Sequence, residues 1–135
     1  MSRLVSDETW AVLTIWQEAR NQPFEGKQAV AEVIRNRMRR QFFSDGSLVG
    51  TILRPYQFSG WNTKDVNRIR CARVDSADPE VVSCRDAWVR SNTEHLILPE
   101  DAVFYYNPAV VPIEPAWAKE ENRVAVIGAH HFFRS

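Results

Sequence analysis

The sequence predicts one α+β domain that is mainly helical and has a small antiparallel β part in its C-terminal third. Two N-terminal segments repeat apolar residues at helical spacing, a third helix starts at an Asp-Pro pair, and β-rich segments are confined to the last third. A chain of 135 residues can bury a core of its own. We therefore expect residues 1–135 to form a single domain.

The first two predicted helices form a hairpin. Ser6 can cap a helix from about residue 7 to residue 20, because acidic residues fill its first turn and apolar residues then follow at helical spacing. Pro23 interrupts the pattern, and a second helix starts near Phe24 or Glu25 with one apolar face that continues to Met38.

Shorter elements follow the hairpin. Residues 48–53 predict a short helix that ends before Pro55, and residues 56–76 show no clear period. Irregular segments of that length are usually functional in compact domains, so we expect this one to form a cleft wall. Asp78 and Pro79 predict the start of a third long helix, which reaches about Asn92.

The C-terminal third favours β structure. Residues 102–106 and 123–127 are rich in strand-forming residues, and residues 116–121 predict a helical turn between them. We expect residues 131–133 to add a short edge strand.

Composition excludes several classes of protein. A hydrophobic fraction of 44% and a charged fraction of 25% are typical of a folded globule and argue against disorder or a fibrous protein. Zero net charge argues against a dedicated nucleic-acid binder, although four arginines cluster within residues 35–40. A solvated helix end explains that cluster, and binding to an anionic polymer is the alternative. The five tryptophans fit either core packing or stacking on sugars.

Metal, cofactor and membrane signals are weak. No apolar run is long enough to cross a membrane, and residues 1–10 lack a signal-peptide pattern, so we expect cytoplasmic synthesis and no stable membrane insertion. Cys71 and Cys84 match no zinc signature, and they fit either two reduced thiols or one disulfide. His130 and His131, even with His95, form no metal-binding motif, so we expect no metal and no cofactor.

Several short motifs together resemble the spore cortex-lytic enzyme family of cell-wall hydrolases (SleB-type). Their order and approximate spacing agree with that family over nearly the whole chain. They are Glu18-Ala19-Arg20, Phe24-Glu25-Gly26, Ala29-Val30-Ala31, Val33-Ile34-Arg35-Asn36-Arg37, Gln57-Phe58-Ser59, Tyr105-Tyr106-Asn107-Pro108, Trp117 and Ile127-Gly128-Ala129-His130-His131-Phe132.

The resemblance implies a lysozyme-like catalytic domain that cleaves peptidoglycan glycan strands between N-acetylmuramic acid and N-acetylglucosamine. It implies that Glu18 is the catalytic acid and that His130 belongs to a structural closing motif, as a core imidazole bonded to backbone. Asn21-Gln22 departs from the Gly-Glu that the family commonly has after its Glu-Ala-Arg motif.

The position of Glu18 supports the same role independently. A carboxylate near the C-terminal end of a helix faces the negative end of the helix dipole, which disfavours ionisation, and burial beside Trp or Tyr would add to that effect. Arg20 and Arg37 would oppose the shift if they lay close. A protonated carboxyl is what a general acid requires.

The sequence favours a lytic transglycosylase over a hydrolytic muramidase. A hydrolase commonly needs a second carboxylate, for which Glu25 and Asp65 are the candidates, whereas a transglycosylase needs only one. A non-catalytic peptidoglycan-binding module and a nucleic-acid binder remain the alternatives from other classes.

Neutral polar groups and aromatic rings are the expected substrate-binding residues. Gln57, Ser59 and Asn107 suit sugar hydroxyl and N-acetyl groups, although turn hydrogen bonding would also explain them. Tyr105 and Tyr106 alternate across a strand, so one of them should face the core and one the cleft, and Tyr106 is the weaker candidate for the cleft.

We expect a monomeric phage endolysin that acts on the cell wall, in the periplasm, after release by a holin-type partner.

Overall fold

The computed structural model describes residues 6–54, 57–61, 65, 70 and 73–135. Helix α1 (Asp7–Ala19) begins where the Ser6 hydroxyl accepts a hydrogen bond from Thr9 N, as predicted. Helix α2 (Phe24–Arg40) follows and completes the predicted hairpin. It ends at Gln41, whose φ of 51° is left-handed, and Phe42 N then donates to Arg37 O at 2.9 Å.

Further along the chain, two shorter helices in the described ranges each have a side-chain cap. Helix α3 (Leu48–Ile52) is capped by Ser47, whose hydroxyl accepts from Gly50 N. Helix α4 (Pro79–Arg90) is capped by Asp78, which accepts from Glu80 N. Both lie where the sequence predicts them, although α4 ends two residues earlier than expected. A 3₁₀ turn, Ser59–Trp61, lies in the predicted irregular segment.

The β part is a three-stranded antiparallel sheet. Strands β1 (Ala102–Tyr106), β2 (Arg123–Ile127) and β3 (His130–Arg134) stand in the order β1-β3-β2. The prediction that the last segment is an edge strand is therefore wrong, because β3 pairs with both other strands. Its burial explains the position, since Phe132 and Phe133 are buried while β2 is largely accessible.

Tight turns join the last elements. A 3₁₀ turn, Glu120–Asn122, replaces the helical turn predicted slightly earlier. Between β2 and β3 the chain reverses at Gly128, whose φ is 58°, a conformation that glycine adopts without strain.

Helix α2 forms the centre of the molecule and packs on both sides. One face joins α1, α3 and α4 in a core that includes Ile15, Ile34 and Cys84. The other face contacts the sheet through Ala29 and Val33, which pack against Phe132. In the described ranges, no helix is long and apolar enough to cross a membrane.

Buried polar groups fix the loop between α4 and β1 to α2. The Glu32 carboxylate is 3% exposed and accepts from Leu98 N at 2.8 Å, from Ile97 N and from Gln28 Nε2. The Asn36 amide donates to two carbonyls that flank the start of β1, those of Pro99 and Ala102. These bonds hold β1 against α2, and so they position the residues that β1 presents to the helices.

Candidate active site

Glu18 lies in the last turn of α1, opposite β1. The Tyr105 hydroxyl donates a hydrogen bond to Glu18 Oε1. Tyr105 reaches this position because its side chain is on the same sheet face as Phe132, its partner in β3, and that face packs against the helices. The structure thus brings together two residues that are 87 positions apart in the sequence.

Arg37 also acts on Glu18, from helix α2. It is 4% exposed, its Nε donates to Val103 O at 2.7 Å, and its Nη1 donates to Gln57 Oε1 at 3.3 Å. Its positive charge favours ionised Glu18. Arg20 instead stacks on Trp16, with the guanidinium 4.3 Å from the ring centroid.

The surroundings of Glu18 raise the pKa of its carboxyl, so Glu18 holds its proton to a higher pH than an ordinary glutamate does. Desolvation by burial is the largest influence and raises its pKa; the Tyr105 hydrogen bond and the Arg37 charge lower the pKa, and the Asp65 charge raises it further. The net direction is upward, which decides a balance between burial and the arginines that the sequence leaves open. Burial and the Glu18 charge also raise the pKa of Tyr105 well above its ordinary value, so Tyr105 keeps its proton and remains a donor.

A cleft of about 230 Å³ opens beside Glu18. Residues 17–22 form one wall, and Asn107, Val110 and His130 from the β part form the other. The two walls are joined by Gln22, whose Oε1 accepts from Ala129 N at 2.9 Å in the β2–β3 turn. A polymer that enters the cleft would meet Glu18 between a helix end and a strand end.

Among the predicted binding residues, two neutral amides lie at this site. Asn107 lines the cleft, and its Oδ1 accepts from Ala109 N at 2.9 Å, so it also stabilises its own turn. Gln57 is positioned through Arg37. The side chain of Ser59 lies outside the described residues.

The other two predicted binding residues lie apart from Glu18. Tyr106 is on the opposite sheet face from Tyr105, where it packs near Trp117 and its hydroxyl donates to Glu114 at 3.5 Å. The alternation across the strand is as predicted, and Tyr105 is the tyrosine that contacts Glu18. Glu25 is exposed in the first turn of α2 and is not part of the cleft lining that includes Glu18.

Of the two candidates for a second carboxylate, Asp65 is the one whose charge acts on Glu18. It comes from the segment predicted to form a cleft wall. Gln57, from the same segment, contacts Arg37, but the cleft lining beside Glu18 includes no described residue of that segment, so its role as a cleft wall stays a prediction.

His130 differs from its expected role as an imidazole bonded to backbone. It is buried as expected, at 6% exposure, but its Nδ1 has no hydrogen-bond partner in the part of the chain that the structure describes. Burial lowers its pKa, and the neighbouring His131 lowers it further. Sequence reasoning missed its place in the cleft, as it missed that of Gln22 and Val110, because no local pattern marks residues that meet only after folding.

The described residues contain no group of three His, Cys, Asp or Glu side chains that could hold a metal. Cys84 is a buried free thiol, and burial raises its pKa to about 12. Cys71 lies outside the described residues.

Two arginines of the α2 cluster, Arg35 and Arg37, are tied into the fold, whereas Arg39 and Arg40 are exposed, as expected of a solvated helix end. The Arg35 guanidinium lies 3.5 Å from the centroid of Trp88 and donates to Ser91 Oγ at 2.7 Å, which joins α2 to α4. Arg37 faces Glu18, and Arg39 donates to Asn36. Trp88 is thus a core residue, whereas the other four tryptophans are partly exposed.

The sequence model of the Cell Wall Hydrolase family matches residues 21–133, which is most of the chain. The chain belongs to the cell wall hydrolase family. Glu18 lies three residues before the matched range, so its role has to be argued from the site itself.

Two curated relatives are spore cortex-lytic enzymes. The protein of Bacillus subtilis (strain 168) is 29% identical over 118 residues, and that of Oceanobacillus iheyensis is 30% identical over 118 residues. Each alignment covers 87% of this chain but only 34% and 38% of the respective relatives. The chain therefore spans about a third of their length.

Solved structures share the fold. The catalytic domain of the germination-specific lytic transglycosylase SleB from Bacillus anthracis superposes with a TM-score of 0.74 over 99% of this chain and all of that domain, at 20% identity. The catalytic domain of the Bacillus cereus SleB protein gives a TM-score of 0.72 over 95% of this chain and 89% of that domain, also at 20% identity. The predicted α+β fold of a SleB-type catalytic domain is confirmed.

Proposed function

We propose that this protein cleaves peptidoglycan glycan strands between N-acetylmuramic acid and N-acetylglucosamine, with Glu18 as its general acid. The observation that carries the proposal is the Glu18 carboxyl itself, which is desolvated, bonded to Tyr105 and open to a cleft. Family membership and the activity named for the Bacillus anthracis SleB domain support the choice of substrate.

The first step is proton transfer from Glu18 to the glycosidic oxygen as the bond to the muramic acid C1 breaks. Glu18 is left as a carboxylate. The Tyr105 hydroxyl and the Arg37 charge both favour that ionised form, so they stabilise the group as the negative charge develops. Desolvation therefore favours the protonated acid before the reaction. The Tyr105 hydroxyl and the Arg37 charge favour the carboxylate that forms during it.

We favour completion by transglycosylation. The Glu18 carboxylate takes the proton of the muramic acid 6-hydroxyl, the 6-oxygen bonds to C1, and a 1,6-anhydro ring closes without water. Atoms balance, because the proton given to the leaving oxygen is replaced by the hydroxyl proton. One carboxyl is sufficient for both steps.

Hydrolysis is the second candidate, and Asp65 is the observation that favours it. Its charge acts on Glu18, and a muramidase uses a second carboxylate near its catalytic acid. In that reaction water, not the 6-hydroxyl, supplies the oxygen that bonds to C1.

The deciding experiment is mass spectrometry of the fragments released from purified sacculi. Anhydro-muramic ends support transglycosylation, and reducing ends support hydrolysis. Glu18→Gln should lower the rate at least about 100-fold. The matched control is Glu94→Gln, an exposed carboxylate on the loop after α4, which should leave the rate unchanged. Release of the same fragments by Glu18→Gln at the wild-type rate would contradict the proposal.

A parallel variant separates the two reactions. Asp65→Asn should leave anhydro products intact if Glu18 acts alone, and it should abolish reducing-end products if Asp65 activates water. Glu25→Gln should matter less than Glu18→Gln in either case. An intact but inactive Glu25→Gln variant would point instead to Glu25 as the second carboxylate.

We further propose that this activity serves cell lysis in the manner of a phage endolysin that a holin-type partner releases. The wall-directed chemistry of the site supports this role. It is tested by expressing the chain inside a bacterium with and without a permeabilising protein. Lysis that requires both that protein and Glu18 is the expected result, and lysis by the Glu18→Gln variant would contradict the role.

A further inference from the structure

His130 is a buried polar group that the catalytic steps do not use. It stands at the start of β3, two residues before Phe132, so its side chain lies on the same sheet face as Phe132 and Tyr105. Its ring meets the Tyr105 ring edge to face, with centroids 5.2 Å apart. His130 therefore reaches the cleft beside the residue that holds Glu18.

The His130 Nδ1 atom lacks a partner where a partner is expected. Buried polar atoms in folded proteins are nearly always hydrogen-bonded, yet none of the described residues pairs with this one. The ring also lines the cleft that contains Glu18 and Asn107. Nδ1 itself is closed to solvent while the ring lines the cleft, so a molecule bound there can pair with it only if the imidazole turns towards the cleft.

The chemistry of the imidazole limits what that molecule can be. Burial disfavours the charged ring, so His130 is neutral and Nδ1 is either a donor or an acceptor. A sugar hydroxyl can donate and accept, and so it satisfies Nδ1 in both tautomers. An anion could pair only with the tautomer that carries its proton on Nδ1, whereas a hydroxyl suits both tautomers.

We propose that His130 is a substrate-binding residue: its ring turns towards the cleft when the glycan strand binds at Glu18, and Nδ1 then forms a hydrogen bond to a sugar hydroxyl. The inference rests on the proposed function, because it takes the cleft as the glycan site. Its contribution is to affinity: the bond forms when the sugar enters the cleft, before proton transfer.

Kinetics on a soluble glycan tetrasaccharide test the proposal. His130→Leu removes the polar atom and should raise KM about tenfold, the loss expected for one hydrogen bond of about 1.4 kcal/mol, with kcat changed far less. His130→Asn keeps a polar atom near the Nδ1 position and should recover most of the affinity. His131→Leu is the matched control on the other sheet face, beside Tyr106, and should keep the wild-type KM.

A direct readout guards against variants that fold poorly. In the Glu18→Gln variant labelled with ¹⁵N-histidine, adding the tetrasaccharide should move the His130 Nδ1 resonance and leave that of His131 in place. Binding seen at other resonances without any change at His130 would overturn the inference and leave the proposed function standing. A wild-type enzyme that neither binds nor cleaves the tetrasaccharide or sacculi would overturn both.

Discussion

Tyr105→Phe removes the hydroxyl that donates to Glu18 while keeping the ring that packs against Phe132 and His130. Because that hydrogen bond lowers the pKa of Glu18, its loss should raise the pKa further. The rate of a general acid falls as pH rises through its pKa. The variant should therefore stay active at higher pH than the wild type.

The size of the effect follows from the strength of the lost bond. A hydrogen bond to a charged group contributes about 1.5–3 kcal/mol. About 1.4 kcal/mol corresponds to a tenfold change in a protonation equilibrium, so the alkaline limb of kcat/KM should move upward by about one to two pH units. The maximal rate should fall at the same time, because the carboxylate formed in the reaction loses a stabilising donor.

The assay is the pH dependence of kcat/KM on solubilised glycan strands, with thermal unfolding to verify the fold of each variant. Tyr106→Phe is the matched control: it loses a hydroxyl one residue away, which contacts Glu114 and not Glu18, so its alkaline limb should stay in place whatever its rate. An unchanged or lowered limb in a folded Tyr105→Phe variant would refute the reasoning about Glu18.

Three further predictions concern stability, measured by thermal or denaturant unfolding. Since the pKa of Glu18 is raised above its ordinary value of 4.5, folding favours the protonated form, and wild-type stability falls as pH rises above that value. The Glu18→Gln variant should therefore become more stable relative to wild type over the same rise in pH. A constant difference in stability between the two proteins would contradict the raised pKa. Glu32→Ala leaves three donors without their acceptor and should cost at least about 2 kcal/mol, against almost nothing for the exposed Glu94→Ala; equal costs would count against the Glu32 network. Gly128→Ala would place Cβ 2.5 Å from Gln22 Oε1 at a φ of 58° and should destabilise by about 1–2 kcal/mol, so an unchanged midpoint would disagree with the turn geometry.

Local chemistry is sufficient to predict most of the elements. Ser6 and Asp78 mark helix starts by side-chain capping, which depends only on neighbouring residues, and both caps form as expected. The order of the strands in the sheet cannot be predicted from neighbouring residues in the same way. Whether β3 lies at the edge or the centre depends on which strands reach its two sides, and that is decided by packing against α2 rather than by the pattern of residues 131–133.

The candidate site likewise contains some features that the sequence predicts and others that only the folded structure reveals. Glu18 can be found from its motif and from its position at a helix end, and the upward influence of burial on its pKa can be expected from the same position. The competing influence of Arg37 cannot be weighed from the sequence, because its guanidinium is close to Glu18 only after α2 packs beside α1. His130 is harder still, since a histidine with a backbone partner and one without look identical in the sequence.

The position of α2 between the helices and the sheet explains how one small domain assembles this site. Arg37 extends from α2 towards both Val103 in β1 and Glu18 in α1, so a single side chain links the two layers. The Val103 carbonyl fixes the guanidinium independently of Glu18, and its charge therefore stays in place whether Glu18 is protonated or ionised. Such a fixed charge needs no reorganisation when Glu18 releases its proton, which is the condition under which electrostatic stabilisation is most effective.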